Sequence, residues 1–358
     1  MKRRLAQSSR SSRQAKPVVF GVGLIALDLV ISADADTPIR AWAGGTCGNV
    51  LAILSYLGWD AYPVARLNTA PASLKVKADL ARWGTHPDFL QCEPANDTPI
   101  IVQEIRRSVN GQPTHRFRWA CPHCGHWLPR YRAVTLRGAA DVRPHLNRAR
   151  LFFMDRLSPA ALDLAREAAA RGAVVVFEPS SRTDDRLLDV ALSLAHIVKY
   201  ADHRVALRAS TRPGPSVLLQ IETMGPRGLR YRSWLPRAKT HKWEHLDSVK
   251  APFIADTCGA GDWCSAGILA SLATEGQEGL TKRSASQLEL ALRYGQTLAA
   301  WNCGFEGARG GMYAVDRVSF ERQVRRIGRG AEASTFQHPT ASQESPAVVP
   351  CPACRAAS

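Results

Sequence analysis

Apolar positions along the chain fall into short runs that alternate with helical spacings. Val18 to Val22 is a continuous run of strand length, which predicts a strand buried on both faces. Asn49 to Leu57 predicts a helix closed by Gly58, and Tyr62 to Leu67 predicts the next strand. Ser158 is placed as an N-cap with Pro159 at the first helical position. Ala160, Ala161, Leu164, Ala165 and Ala168 then mark one apolar face, and Gly172 stands just past its end. Ala173 to Phe177 is a β-branched run of the kind a fully buried strand needs. Leu187 to Leu194 reads as a helix and His196 to Lys199 as a strand. Val217 to Ile221 and Arg230 to Trp234 flank a glycine-containing turn, and two long helices are predicted at about 262–274 and 285–302. This βαβα rhythm predicts an α/β fold, a mainly parallel central sheet with helices on both faces. From Pro99 to about Val134 the rhythm breaks into a basic, strand-like stretch with a turn at Asn110-Gly111. It reads as an antiparallel excursion, a small β insert over about 99–145. No internal repeat occurs.

Composition adds boundaries. Of 358 residues, 45% are hydrophobic and 22% charged, enough for a substantial core. Residues 1–16 are Ser- and Arg-rich and residues 331–358 are polar and Pro-rich. Both read as disordered tails around one domain at 17–330. No apolar run approaches the roughly 18 residues of a membrane span, and no cleavage site follows a leader-like run, so a cytoplasmic location is expected. The net charge is +16, and residues 1–16 and 104–150 hold 14 of those charges. Such a concentration attracts anions, nucleotides or nucleic acid. The alternative is a solvated tail and a solvated insert.

The densest chemistry is Asp256-Thr257-Cys258-Gly259-Ala260-Gly261-Asp262, opening an apolar helix. Free amides at a helix start form an anion site, and glycine lets a phosphate approach the backbone. Asp262 at the mouth of that site has two readings. One is a base that accepts a proton from an attacking hydroxyl, and the other is an ordinary helix N-cap.

The run DTCGAGD, followed by Ser265-Ala266-Gly267, resembles the signature of ribokinase-like (PfkB) carbohydrate and nucleoside kinases. The resemblance implies that Gly259, Ala260 and Gly261 form the anion hole and that Asp262 is the catalytic base. Gly44-Gly45-Thr46-Cys47-Gly48-Asn49 resembles the family's GGxxxN, implying that Gly44, Gly45 and Asn49 bind substrate. Gly23 to Asp28 resembles the GxxxxD at the end of the first strand, whose Asp holds sugar hydroxyls. Thr223-Met224-Gly225-Pro226-Arg227-Gly228 resembles the turn along the nucleotide, giving Thr223, Gly225 and Gly228 a cofactor-binding role. Ala299-Ala300 through Gly307 resembles the helix and loop beside the adenine. The similarity covers roughly residues 17–327 and implies ATP, magnesium and a small hydroxyl acceptor.

Two motifs depart from the family. Asn68 to Ser73 lacks the glycines and Asp of GxDxxG, and Lys199 to Arg204 lacks the Asn and Glu of NxxE. Asp202 or Glu178 could stand in for the latter. These losses keep open a non-catalytic nucleotide- or sugar-binding module that contacts nucleic acid or a protein. The oligomeric state stays open as well, a homodimer included.

Nine cysteines do not suggest a secreted disulfide framework. Cys121-Pro122-His123-Cys124-Gly125-His126 is a zinc-knuckle half site, and Cys351-Pro352-Ala353-Cys354 is a second. Together Cys121, Cys124, Cys351 and Cys354 predict one structural zinc of four thiolates. Completion by His123 or His126, and redox-active or free thiols, are the alternatives.

Overall fold

The computed structural model describes residues 15–108, 111, 113–179, 184–204, 213–240, 242–330, 351 and 354. Asn110 of the expected turn and nearly all of both expected tails lie outside the described residues. The strands are β1 (Val18–Val22), β2 (Ala26–Ile31), β3 (Arg40–Gly44), β4 (Asp60–Leu67), β5 (Leu90–Cys92), β6 (Ile100–Arg107), β7 (Pro113–Arg118), β8 (Ala149–Met154), β9 (Val174–Phe177), β10 (Ile197–Ala201), β11 (Leu219–Thr223), β12 (Leu229–Ser233) and β13 (Glu244–Leu246).

The main sheet has the order β13-β12-β11-β10-β9-β8-β1-β4-β5. Pairing is parallel from β5 to β11, and β12 and β13 add antiparallel edges. The two-residue period of the strands divides their apolar runs between two helical layers. Val19, Leu151, Phe153, Val174 and Ile197 meet the helices Thr46–Tyr56, Ala260–Leu272 and Ala285–Asn302. Phe20, Val22, Phe152, Met154, Val175 and Phe177 meet the helices Leu136–Val142, Pro159–Ala170 and Asp185–Leu194. Local signals hold as well. Ser158 Oγ accepts from Ala161 N at 3.1 Å, and Gly172 ends that helix with φ 86.

The insert departs from expectation. It belongs to a four-stranded sheet of order β3-β2-β6-β7, which also recruits residues 26–31 and 40–44. Its central pair, β2 and β6, is parallel, and only the outer pairings are antiparallel. Asp28 accordingly lies within β2, opposite Trp42 and Ile101, and not at the end of the first strand. Gly23 explains the break between β1 and β2. A Cβ there would lie 1.7 Å from Asp155 Oδ1, and the same oxygen takes the Leu24 amide at 2.9 Å. That amide therefore leaves the main ladder. The helix Leu136–Val142 belongs to the main core, so the small sheet ends well before residue 145. Among the described residues, no helix is long and apolar enough to cross a membrane.

Candidate active site

The helix Ala260–Leu272 starts from Gly259, whose φ of 74 is left-handed. A Cβ there would lie 2.3 Å from Ala308 O, so the turn admits only glycine. No side chain caps this helix. The first amides of a helix have no partner within it, and those of Gly261 and Asp262 therefore remain for a ligand. A Cβ added at Gly261 would meet nothing within 4 Å, so the space before them is open.

Asp262 is the third residue of the helix and not its N-cap, which removes the capping reading. Its Oδ2 accepts from Asn49 Nδ2 at 2.8 Å. Burial pushes its carboxyl up to about 7, and the charge of Glu178 adds to this against Asn49, Lys199 and Arg204. Asn49 is oriented in turn by Arg309, whose Nε donates to Asn49 Oδ1 at 3.1 Å. A guanidinium only donates, so it fixes which end of the amide faces Asp262. Arg309 is 1% exposed. Its Nη2 donates to the Ala43 carbonyl and, at 2.9 Å, to Asp79 Oδ2. Asp79 also accepts from Tyr313 Oη at 2.7 Å and from the Ala43 amide at 2.7 Å.

Asp28, Val30, Trp42, Ala43, Asn49, Ala308 and Arg309 line a cleft beside this network. A Cβ on Gly44 would lie 1.9 Å from Asp28 Oδ2, which excludes any larger residue. Burial raises the Asp28 carboxyl to about 6, opposed by the Gly45 amide and Arg309. Asp28 Oδ1 and Arg309 Nη1 are buried without hydrogen-bond partners. They are an unsatisfied acceptor and an unsatisfied donor at the cleft.

Behind the glycine turn, Lys199 Nζ lies 2.8 Å from Glu178 Oε1 and donates to Gly261 O at 3.2 Å. Ser265 Oγ donates to the other oxygen of Glu178. Thr223 pairs in register with Ala201 at the carboxyl ends of β11 and β10. Gly225 and Gly228 turn the chain there with φ of 58 and 89. The carboxyl ends of parallel strands are where open α/β sheets receive ligands.

The small sheet reaches the glycine turn through Asp256. Its Oδ1 accepts from the Cys258 amide at 3.0 Å and lies 3.2 Å from His115 Nδ1 of β7. Its Oδ2 accepts from the Gly307 amide at 2.9 Å and from Gln103 Nε2 of β6. Burial raises this carboxyl, but His115 and the two amides outweigh it, and it ends below its ordinary range.

The two Cys-Pro-x-Cys segments meet. Cys121 Sγ lies 3.7 Å from Cys354 Sγ and Cys124 Sγ lies 3.7 Å from Cys351 Sγ, with all four sulfurs within 4.8 Å of one another. A disulfide would need about 2.05 Å.

Solved structures match this architecture. A fructokinase from Xylella fastidiosa with bound ATP matches with a TM-score of 0.64 at 16% identity, over 82% of this chain and 94% of its own. A ribokinase from Arabidopsis thaliana complexed with ribose and ATP matches with a TM-score of 0.62 at 16% identity, over 87% and 99%. The fold is ribokinase-like. A nucleoside kinase from Burkholderia thailandensis in complex with inosine matches at 0.60 and 16% identity, over 88% and 99%. No family model matches the chain, and no curated protein matches it by sequence.

On this ribokinase-like frame, Asp28 and Asn49 line one cleft, Gly44 and Gly45 close against Asp28, and Asp262 joins through Asn49. Thr223, Gly225 and Gly228 lie at the strand ends of the same sheet. The two carboxylates that could replace the NxxE acid both have partners. Glu178 is committed to Lys199 and Ser265, and Asp202 to Arg227 at 2.5 Å. Sequence reasoning missed Arg309, Asp79, Lys199 and His115. Arg309 carried a faint signal, a cation two residues past Gly307 in a loop otherwise poor in charge.

Proposed function

We propose that the chain is an ATP- and magnesium-dependent kinase, with one domain over residues 17–330, that phosphorylates a hydroxyl of a sugar, a nucleoside or a related small molecule. One observation carries this reading: a carboxyl raised to about 7 stands at the mouth of an uncapped helix N-terminus and is aimed by Asn49. A general base works best with a pKa near the operating pH. The ATP bound by the fructokinase and the Arabidopsis ribokinase supports the choice of donor.

The acceptor enters the cleft beside Trp42. Asp28 Oδ1 and Arg309 Nη1, buried here without hydrogen-bond partners, would meet its hydroxyls once the cleft opens. Asp262 takes the proton of the attacking hydroxyl. The amides of Gly261 and Asp262, with the positive end of the helix, stabilise charge on the phosphoryl oxygens. The Thr223–Gly228 turn lies along the nucleotide, and the small sheet covers the acceptor and excludes water. Magnesium supplies positive charge across the phosphates. Glu178 and Asp202, each paired with a cation here, remain its candidate carboxylates beside phosphate oxygens and water. In this reading the four thiolates hold one structural zinc, because four protein ligands leave no open position for water. A cytoplasmic location goes with this chemistry.

Asp28→Ala should weaken acceptor binding by about 0.5–3 kcal/mol, the range for a lost hydrogen bond to a neutral or charged group, whereas Asn49→Ala, which releases Asp262, should lower kcat. The measurement is acceptor KM at saturating ATP. Unchanged KM in Asp28→Ala would place the acceptor elsewhere.

A second reading has one observation in its favour. Trp127 is 70% exposed, and Arg130 lies 4.8 Å over its ring, a platform on which a nucleic-acid base could stack. Against it, Glu104 pairs with both Arg106 and Arg118, Asp97 with Arg132 and Asp163 with Arg143. Fluorescence anisotropy with a labelled single-stranded oligonucleotide decides it. This reading needs salt-sensitive binding that Trp127→Ala abolishes.

A further inference from the structure

The four-cysteine cluster joins two distant parts of the chain, and its spacing fits a tetrahedral metal ion. Zinc–sulfur bonds of about 2.3 Å in a tetrahedron set sulfurs about 3.8 Å apart. The observed 3.7 Å pairs fit that edge. The His123 amide lies 3.4 Å from Cys121 Sγ, the Gly125 amide donates to Cys121 O at 3.0 Å, and Gly125 turns with φ 75. These contacts close the knuckle and supply a backbone donor to a thiolate. An all-sulfur donor set is too soft for magnesium and calcium and suits zinc, iron or copper(I). His123 and His126 are exposed and are not needed as ligands.

The knuckle is not an isolated ornament. Ala120 bridges Trp127, and the Leu128 amide donates to Trp119 O, so the knuckle continues β7 directly. The Ile100 amide donates to Pro129 O, which ties its exit to the start of β6. The same two strands carry His115 and Gln103 onto Asp256, the first residue of the turn that leads to Asp262. His115 Nδ1 also lies 3.4 Å from Thr257 Oγ1. Metal knuckle, strand ladder and glycine turn thus form one bonded series. Cys351 brings the far end of the chain to its outer end and is buried with Cys121 in the main core cluster.

We propose that one zinc ion latches the C-terminal segment onto the knuckle, and that this latch holds the β6–β7 ladder down on Asp256 and Thr257. Without the ion, four close thiols repel as thiolates or separate as thiols, and the ladder loses its outer anchor. Exchange and flexing of β7 then increase while the parallel sheet stays intact. The effect on acceptor affinity rests on the kinase reading. The metal and the mechanical coupling do not.

The test uses the full chain. Elemental analysis should give about one zinc per chain, falling below about a tenth of that in Cys351→Ser/Cys354→Ser. Amide exchange over residues 113–118 should speed up about tenfold or more in that variant, with β1 and β8 unchanged. Acceptor KM should rise about tenfold with kcat within about threefold. If the variant fails to fold, removing zinc from the native chain with a chelator and restoring it must produce and reverse the same exchange change. Iron in place of zinc would overturn the assignment of the ion. Full zinc retention in the double variant would overturn the shared site. Zinc loss with unchanged exchange in 113–118 would overturn the coupling. Absence of any kinase activity in the native chain would defeat the kinase reading alone, because metal content and exchange still judge the latch.

Discussion

Asp262→Asn should lower turnover by about 10²–10⁴-fold, the usual contribution of a general base, while nucleotide affinity stays within a few-fold. Asparagine keeps the shape and the contact with Asn49 but cannot accept the proton. The native enzyme should show kcat/KM falling about tenfold per pH unit below about 7, where the carboxyl protonates, and the variant should lack that limb. Stability should move the other way. Folding raises this carboxyl from 3.8 to about 7, so the native state binds the proton more tightly than the unfolded chain. That linkage favours the fold at low pH and is lost as pH rises through 7. Asparagine has no such dependence. The variant should therefore melt higher than the native chain at pH 8, with the gap narrowing toward pH 5. Thermal melts across that range check it, and a variant that melts lower at pH 8 would show that burial does not strain this carboxylate.

Arg309→Met should be the most destabilising single change in the site, by about 3–5 kcal/mol, the cost of breaking a buried ion pair from one side. It strips Asp79 of its cation and leaves the Ala43 carbonyl and Asn49 Oδ1 without their donor. Urea unfolding measures the loss. Adding Asp79→Asn should recover part of it, because the stranded charge is then gone and Tyr313 still bonds the side chain. Turnover should fall as well, since the Asn49 amide is then free to rotate away from Asp262. A single variant as stable as the native chain would mean the pair is dispensable.

What could be read from the sequence follows from how local each signal is. β1 and β9 are legible because a strand covered on both faces must be apolar throughout, as Val174–Phe177 is. Ser158, Pro159 and Gly172 bracket their helix because caps act within one turn. DTCGAGD is legible because a phosphate-sized space before a helix end tolerates few residues. β2 was lost in the apolar run after β1, because nothing local announces that Asp155, more than a hundred residues away in sequence, takes the Leu24 amide. Arg309 escaped for the same reason. Its partners Asn49, Asp79 and Ala43 converge only in the folded chain. The cysteines are the exception, a long-range contact legible because two Cys-Pro-x-Cys segments each offer two sulfurs to one cluster.

The most direct test of the account is transfer of labelled γ-phosphate from ATP, with magnesium, to a panel of sugars and nucleosides by the native chain and by Asp262→Asn. The account predicts at least one acceptor phosphorylated on a hydroxyl, with the rate falling about 10²–10⁴-fold in the variant. No transfer to any acceptor, or equal transfer by both proteins, would contradict it.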